Sequence, residues 1–316
     1  MKELLADGRQ TDSEIAKKIG ETKESVRRNI SKMEKMGIIT GATIHINYKI
    51  FGCKAVAHIL INVDPQQEAQ LIEYLQKMPG FYAFYSRRVK GNLDVVTILK
   101  TFEELNDVKD AIKRRFQILE MRTALWTDVK ETNYNLSITS SDAKDSDAAV
   151  NYQVKPPVGS SQNVVINEID QKIADKLAEN GRMPIEELGS AIGTSSDTAK
   201  RRYEKLKKKG VLKVTVQINP NKIGYQAMCL FFTVMSTENS IGVIERIGKI
   251  PNIISIMKTA GDYDLQIWAM VKDLDQFLAI QDEIGKIRGI TKMDLEVLPM
   301  DLWQSWPTPR QYISTF

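Results

Sequence analysis

The feature that most constrains this chain is that it is written twice. Offset by 173 residues (Gly181 against Gly8), Gly8-Arg9 falls on Gly181-Arg182, Glu14 on Glu187, Gly20 on Gly193 and Gly37 on Gly210. Val26, Ile30 and Met33 fall in the same way on Ala199, Tyr203 and Leu206. With one residue of slippage "IN" at 46–47 meets "IN" at 218–219 and Pro79 meets Pro251, and further on "GNLD" (91–94) meets "GDYD" (261–264). A self-match at this period means one two-part module repeated in a single chain. Between the copies, residues 137–163 are rich in Ser, Asp, Ala and Pro and have no apolar period. They read as a linker, whose reach of roughly 5–6 Å × √n is enough for two modules to dock side by side.

The first part of each module carries the punctuation of short helices. "TDSE" (Thr11 to Glu14) has the capping-box pattern, Ile15, Ala16 and Ile19 continue as an apolar stripe, and Gly20 ends it. A second helix is predicted from an N-cap at Thr22 to Met36, stopped by Gly37. Copy two repeats the plan with Pro184 at the first turn, Leu188 and Ile192 on the stripe, Gly193 at the turn and Ser195 as the next N-cap, before a helix that ends at Gly210. Two short helices joined by a Gly-containing turn make a helix-turn-helix. The β-branched runs that follow, "GIITGATIHIN" and "GVLKVTVQIN", would each form a small wing. Copy two has a further helix upstream, "EIDQKIADKLAEN" (168–180), whose counterpart in copy one is cut to "MKELLAD", so a short first helix is expected there.

The net charge of +4 permits a nucleic-acid partner without arguing for one, so the distribution of charge decides. Seven basic residues lie between Lys200 and Lys209, on a helix whose one apolar stripe is Ala199, Tyr203 and Leu206. A solvated helix face is the ordinary meaning of such a run. The repeat and the helix-turn-helix frame favour DNA, with the first turn of the second helix entering the major groove. The predicted base readers are Lys23, Glu24, Ser25 and Arg28 in copy one and Ser196, Asp197, Thr198 and Arg201 in copy two. Arg27, Lys32, Lys200, Arg202, Lys205 and Lys207 to Lys209 suit phosphate contacts.

The second part of each module alternates strand, helix, strand, strand, helix, strand. Strands are predicted near 54–63, 81–89, 93–101 and 118–127, and again near 226–235, 252–259, 263–272 and 290–298; the intervening helices fall at 65–79, 102–116, 239–249 and 273–287. This is a βαββαβ unit of the ferredoxin-like kind. Its helices cover one face of the sheet, so the bare face needs a partner, and the other copy is the economical one. The expected fold class is therefore α+β, with a winged helix-turn-helix at 1–45, a ferredoxin-like unit at 46–136, the linker at 137–163, a second winged helix-turn-helix at 164–217 and a second ferredoxin-like unit at 218–316. The two ferredoxin-like units should pair as a pseudo-dimer, forming an eight-stranded sandwich.

The chain resembles the Lrp/AsnC (feast-famine) transcription regulators. The resemblance is carried by "IDQKIADKLAENGR", "GVL" (210–212), "INPNKIGY" (218–225) and "TAGDYDLQIWAMV" (259–271), and in copy one by "DGR", "GII", "INYKIFG" and "KGNLDVVTIL". It covers nearly all of the chain outside the linker and the last dozen residues. The family's usual chain has one module and dimerises through the ferredoxin-like part, so this one would be a built-in pseudo-dimer. The resemblance implies a sequence-specific regulator acting on double-stranded DNA in a prokaryotic cytoplasm. It also implies an amino acid or similar effector near Gly261, Asp262, Tyr263 and Asp264, where Gly permits close backbone approach and Asp can accept an ammonium group. A plain turn with Asp capping nearby amides fits the same four residues. Copy one has Asn92 and Leu93 in place of the Asp and Tyr, so the two copies should not bind alike. Higher homo-oligomers are common in the family, and the aromatic tail "DLWQSWPTPRQYISTF" (301–316) either mediates one or packs on its own domain.

Other function classes find little support. No GxSxG, P-loop or GxGxxG is present, and paired carboxylates such as Glu103-Glu104 and Glu186-Glu187 lie on amphipathic helices as solvated faces. His45, His58 and Cys53 match no zinc spacing, so neither a metal nor a cofactor is expected. Cys53 and Cys229 each sit in an apolar run and read as buried free thiols of a reducing compartment. No run of 18 apolar residues exists, which argues against a membrane helix, and "MKELLADGRQ" does not read as a secretory signal. The rival enzyme reading is a siroheme decarboxylase, some of which share this architecture; Arg87 and Arg88 would then grip a polycarboxylate. Copy two has no His and keeps "GDYD", which favours the regulator. A third reading is an architectural DNA-binding protein with little sequence choice.

Overall fold

The computed structural model describes residues 1–46, 50–78, 81–86, 92–131, 165–236 and 240–300. Copy one runs α1 (Lys2–Ala6), α2 (Asp12–Ile19), α3 (Lys23–Lys35), β1 (Ile39–Ile46), β2 (Ala55–Val63), α4 (Glu68–Lys77), β3 (Phe81–Ser86), β4 (Asn92–Leu99), α5 (Glu103–Lys113) and β5 (Ile118–Glu131). Copy two repeats the order as α6 (Glu168–Glu179), α7 (Ile185–Ala191), α8 (Ser196–Lys208), β6 (Leu212–Ile218), β7 (Ala227–Met235), α9 (Ser240–Ile247), β8 (Ile253–Ala260), β9 (Leu265–Val271), α10 (Leu274–Gly285) and β10 (Ile290–Pro299). The linker, Arg87 and Arg88, and the aromatic tail lie outside the described residues. The chain forms two compact units, and each combines the matching part of both copies: the helix-turn-helices of residues 1–52 and 165–223 in one, the ferredoxin-like parts in the other.

In the first unit the expected wings take a different form. A strand that follows a helix has no neighbour within its own copy, and its backbone groups must still be paired. β1 therefore pairs antiparallel with β6, with Thr43 opposite Thr215 and Ile44 opposite Val214. The wing of each copy is completed by the other. The first helices cross over too: α1 packs on β6 and α6 on β1. Thr43 Oγ1 donates to the Ala178 carbonyl at 3.0 Å, and Thr215 Oγ1 donates to the Leu5 carbonyl at the same distance. The short first helix expected in copy one is found, five residues against twelve, and it still buries Leu4 and Leu5 completely. One stripe position differs from the sequence reading: Ile15 and Ala16 are buried, but Ile19 is 53% exposed.

The second unit holds a single ladder of eight strands in the order β10-β7-β9-β8-β5-β2-β4-β3. The two four-stranded halves are thus joined edge to edge at β5–β8, where Leu125 lies opposite Ala260 and Lys130 opposite Ile256. They also meet face to face, as the sandwich reading expects. Period-two alternation sorts the two faces of each half. In copy one Ala57, Ile59, Ile61 and Val63 of β2, with Leu93 and Val95 of β4, pack on Leu71 and Leu75 of α4 and Ile112 of α5. In copy two Phe231, Leu265, Ile267 and Ala269 pack on Val243, Ile247, Ile280 and Ile284. Cys229 belongs to that second core, and burial pushes both it and Cys53 up to about 12, so neither thiol is a ready nucleophile.

The remaining faces, which the helices leave bare, meet around a buried polar node. His58 Nε2 lies 3.0 Å from Asp94 Oδ1, its Nδ1 lies 3.0 Å from Gln266 Nε2, and Trp126 Nε1 donates to Gln266 Oε1 at 2.8 Å. β2 and β9 stand three strand spacings apart in the ladder, about 14 Å on a flat sheet, so this contact requires the ladder to curl until its faces meet. Phe232 stacks on His58, and Trp126 meets Trp268 edge-on at 5.7 Å.

Asp94 and Gln266 occupy matching places. Ala55 pairs with Leu99 and Ala227 with Val271, an offset of 172 that sets Asp94 on Gln266. The sequence comparison had set Asp94 on Asp264, so the "GNLD"–"GDYD" match is two residues out of structural register: Asn92 to Asp94 are strand, whereas Asp262 to Asp264 form a turn. His58 correspondingly matches Leu230.

Since Asp94 is fully buried beside His58, His58→Leu should cost about 3 kcal/mol in urea unfolding, because it weakens the compensation of a buried carboxylate. His58→Leu combined with Asp94→Leu should cost clearly less than the sum of the two single changes. An additive result would show that the node carries no coupling.

Candidate nucleic-acid interface

Each copy presents its second helix on a helix-turn-helix frame built by local rules. Thr11 Oγ1 accepts from the Glu14 amide at 3.2 Å and Glu14 Oε2 accepts from the Thr11 amide at 2.7 Å, a complete capping box. The Thr11 backbone and hydroxyl bonds hold the Glu14 carboxyl below the usual carboxylate range. Gly20 takes the left-handed conformation that ends α2, and Thr22 then caps α3 through the Ser25 amide. In copy two Ser195 caps α8 through the Thr198 amide. The close approach of α7 to α8 depends on Gly189, where a Cβ would sit 3.0 Å from the Ser196 nitrogen.

The apolar stripes face inward as expected: Val26 and Ile30 on α3, and Ala199, Tyr203 and Leu206 on α8, are buried. The opposite faces are open. Lys23, Glu24, Arg27, Arg28 and Lys32 on α3 are exposed, and so are Asp197, Lys200, Arg201 and Lys205 on α8. Ser25, Ser196 and Thr198 are half-buried at the helix starts. The Thr198 hydroxyl accepts from Ser195 Oγ at 3.0 Å, so it already serves the cap. On α3 a shallow, open hollow of about 440 Å³ is lined by Arg28, Ser31, Lys32, Lys35 and Met36.

Two cations read from sequence as phosphate contacts are instead engaged within the protein. Arg202 Nη1 lies 3.5 Å from the buried Asp170, and Lys207 Nζ lies 2.8 Å from Asp7. Both acids come from elements far off in sequence, so the run of bases alone could not separate these two from their neighbours. Sequence patterns assign Arg9 and Arg182 no role; their signals are the shared Gly-Arg pair at one offset and their place at the ends of "DGR" and "IDQKIADKLAENGR".

The loop at 261–264 joins β8 to β9. Gly261 has φ +147, and a Cβ there would lie 3.3 Å from the Thr123 carbonyl oxygen, so glycine is required. Asp264 Oδ2 accepts from the Met235 amide at 2.6 Å, and the Tyr263 hydroxyl donates to Asp294. Lys292 stands 2.8 Å from Asp294 and 5.2 Å from the Tyr263 ring centroid. Its hydrogen bond, with that of Tyr263, holds Asp294 below the usual carboxylate range; the bond to Asp294 raises the Tyr263 phenol. Tyr263 and Asp264 thus have protein partners, while Gly261 and Asp262 are exposed.

Comparison with known proteins agrees with this geometry. Residues 166–207 match the AsnC-type helix-turn-helix domain, residues 231–298 the Lrp/AsnC ligand binding domain, and residues 1–40 a winged helix-turn-helix DNA-binding domain. The HTH-type transcriptional regulator FL11 of Pyrococcus horikoshii is 30% identical over 40% of this chain and 85% of its own length. The regulator LrpA of Pyrococcus abyssi is 28% identical over 41% and 93%. In fold, the chain is similar over 99% of its length to 92% of the siroheme decarboxylase NirDL bound to an iron-uroporphyrin III analogue, with a TM-score of 0.64 and 15% identity.

The exposed cations make a quantitative expectation. Lys200→Ala and Lys205→Ala should each lower the slope of log affinity against log salt by about 1 on duplex DNA. Lys207→Ala, whose charge is already paired with Asp7, should leave that slope nearly unchanged. Equal slope changes in all three variants would show that the Asp7 pair opens on binding.

Proposed function

As the chain belongs to the Lrp/AsnC family of transcription regulators, we propose that it reads DNA with two unlike helices, α3 and α8, held in one unit. The observation that carries this reading is the pair of capped second helices, each with a buried apolar stripe and an exposed basic face. Bases are read from the first turns by Lys23, Glu24, Ser25 and Arg28 on one half-site and by Ser196, Asp197, Thr198 and Arg201 on the other. Arg27, Lys32, Lys200 and Lys205 hold phosphates. Because the first turns differ, the two half-sites differ, and the operator is not a true palindrome.

Modulation by a small effector is the finer part of the proposal. Exposed Asp262 beside Gly261 supports an ammonium-bearing ligand, such as an amino acid, at the loop of copy two alone. The protein partners of Tyr263 and Asp264 favour a structural turn. We propose further that the chain is not an enzyme and acts in a prokaryotic cytoplasm. The fold shared with a siroheme decarboxylase extends over the whole chain, but at 15% identity it speaks for fold alone. Among the described residues no three His, Cys, Asp or Glu cluster to hold a metal, and no helix is long and apolar enough to cross a membrane.

The decisive test is selection from pooled random duplexes at two salt concentrations. A two-part asymmetric motif is the expected result; salt-sensitive binding without a motif would make the protein architectural. Absence of binding, with a saturable absorbance change on adding a tetrapyrrole, would favour the enzyme. On the selected motif, Arg201→Ala should cost about 1–3 kcal/mol and less on random DNA. Equal loss on both would demote Arg201 to a phosphate contact.

A further inference from the structure

The first unit contains a reciprocal clamp between the two copies. Arg9 of copy one donates from Nη1 to the Gly181 carbonyl at 2.9 Å and from Nη2 to the Met183 carbonyl at 2.8 Å. Arg182 of copy two donates from Nε to the Gly8 carbonyl at 2.7 Å. Each arginine therefore binds the backbone of the turn that carries the other. The glycines reciprocate: the Gly8 amide donates to the Val214 carbonyl and the Gly181 amide to the Ala42 carbonyl, both at 2.9 Å. Neither glycine has room for a side chain. A Cβ on Gly8 would lie 2.9 Å from the Thr215 carbonyl carbon, and one on Gly181 would lie 2.9 Å from the Thr43 carbonyl oxygen.

The clamp reaches a reading helix directly. The Arg9 guanidinium lies over the Tyr203 ring, 5.2 Å from its centroid, and Tyr203 is a buried stripe residue of α8. Ile30 holds the matching place on α3, so that place offers Arg182 no ring. Guanidinium groups suit this task, because their donors form a rigid fork that binds two carbonyls in one geometry. Arg9 and Arg182 are part-buried in these bonds, on turns apart from the first turns of α3 and α8.

We infer that Arg9 and Arg182 are positioning residues that fix the separation of α3 and α8, so that the chain accepts its two half-sites at only one spacing. This rests on the DNA-reading function proposed above. Inserting one base pair between half-sites moves the second by about 3.4 Å and roughly a tenth of a turn. A rigid pair of heads cannot follow that change; a loosened pair can.

The test uses the full chain and the duplex selected from random DNA, remade as a series with base pairs added or removed between the half-sites. The unaltered protein should lose about tenfold or more in affinity when the spacing changes by about two base pairs. Arg9→Ala combined with Arg182→Ala should bind neighbouring spacings within about threefold of the best, with its salt slope unchanged, since no phosphate contact is lost. Gly181→Ala keeps both arginines but forces β1 away from the turn. It should broaden or shift the preferred spacing in the same assay, and it decides the matter if the double variant fails to fold by circular dichroism. Undiminished spacing preference in the folded variants would overturn the inference. So would a smaller salt slope in the arginine variant, which would mean direct DNA contact. Tight binding by the unaltered protein with no preference for spacing would overturn it while leaving the DNA function standing. Failure of the unaltered protein to bind any duplex would remove both.

Discussion

A β-strand exposes donors and acceptors that its own copy of this module does not satisfy, and the whole arrangement follows from that debt of hydrogen bonds. In the first unit β1 and β6 are each other's partner. In the second, the outer edge of β5 is closed by β8. Once these ladders form, the first helices have strands to cover, Thr43 and Thr215 find carbonyls across the copy boundary, and the faces left bare by α4, α5, α9 and α10 meet around the node of His58, Asp94, Gln266 and Trp126. The helix-turn-helices are consequently not independent beads. They share a ladder, and the geometry of one is part of the geometry of the other.

Most of the elements were legible in the sequence because they obey short-range rules. The capping box at Thr11, the caps at Thr22 and Ser195 and the left-handed glycines 20, 37, 193 and 210 lie where pattern places them. The strand and helix order of both ferredoxin-like parts followed from periodicity. What stayed hidden depends on partners distant in sequence, from Asp170 and Arg202, 32 residues apart, to His58 and Gln266, 208 apart. Alternation tells which face of β2 is buried but not that His58 will meet Gln266, and nothing local distinguishes Lys207, paired with Asp7, from exposed Lys205. The one misregister had the same origin. A four-letter likeness placed Asp94 on Asp264, whereas only the ladder, through Ala55–Leu99 and Ala227–Val271, shows that it matches Gln266.

The two copies keep one backbone plan and differ where they touch. Matching places hold His58 and Leu230, Asp94 and Gln266, Ile30 and Tyr203. Around the polar node this leaves one buried carboxylate with its histidine on one side and a neutral amide on the other, an arrangement that avoids placing two carboxylates at equivalent buried positions. At the clamp it gives Arg9 an aromatic face at Tyr203, where the matching place of copy one holds Ile30. Sequence divergence therefore falls on complementarity between the halves as well as on the first turns of α3 and α8.

Because both halves are carried by one polypeptide, their pairing is intramolecular, governed by an effective concentration set by the connecting chain and not by the amount of protein present. A regulator assembled from separate subunits dissociates when scarce, and its active form then falls with the square of subunit concentration. This chain keeps α3 and α8 together at any dilution. Occupancy of an operator by the single chain would rise in simple proportion to the number of molecules made, a graded response available even at a few copies per cell.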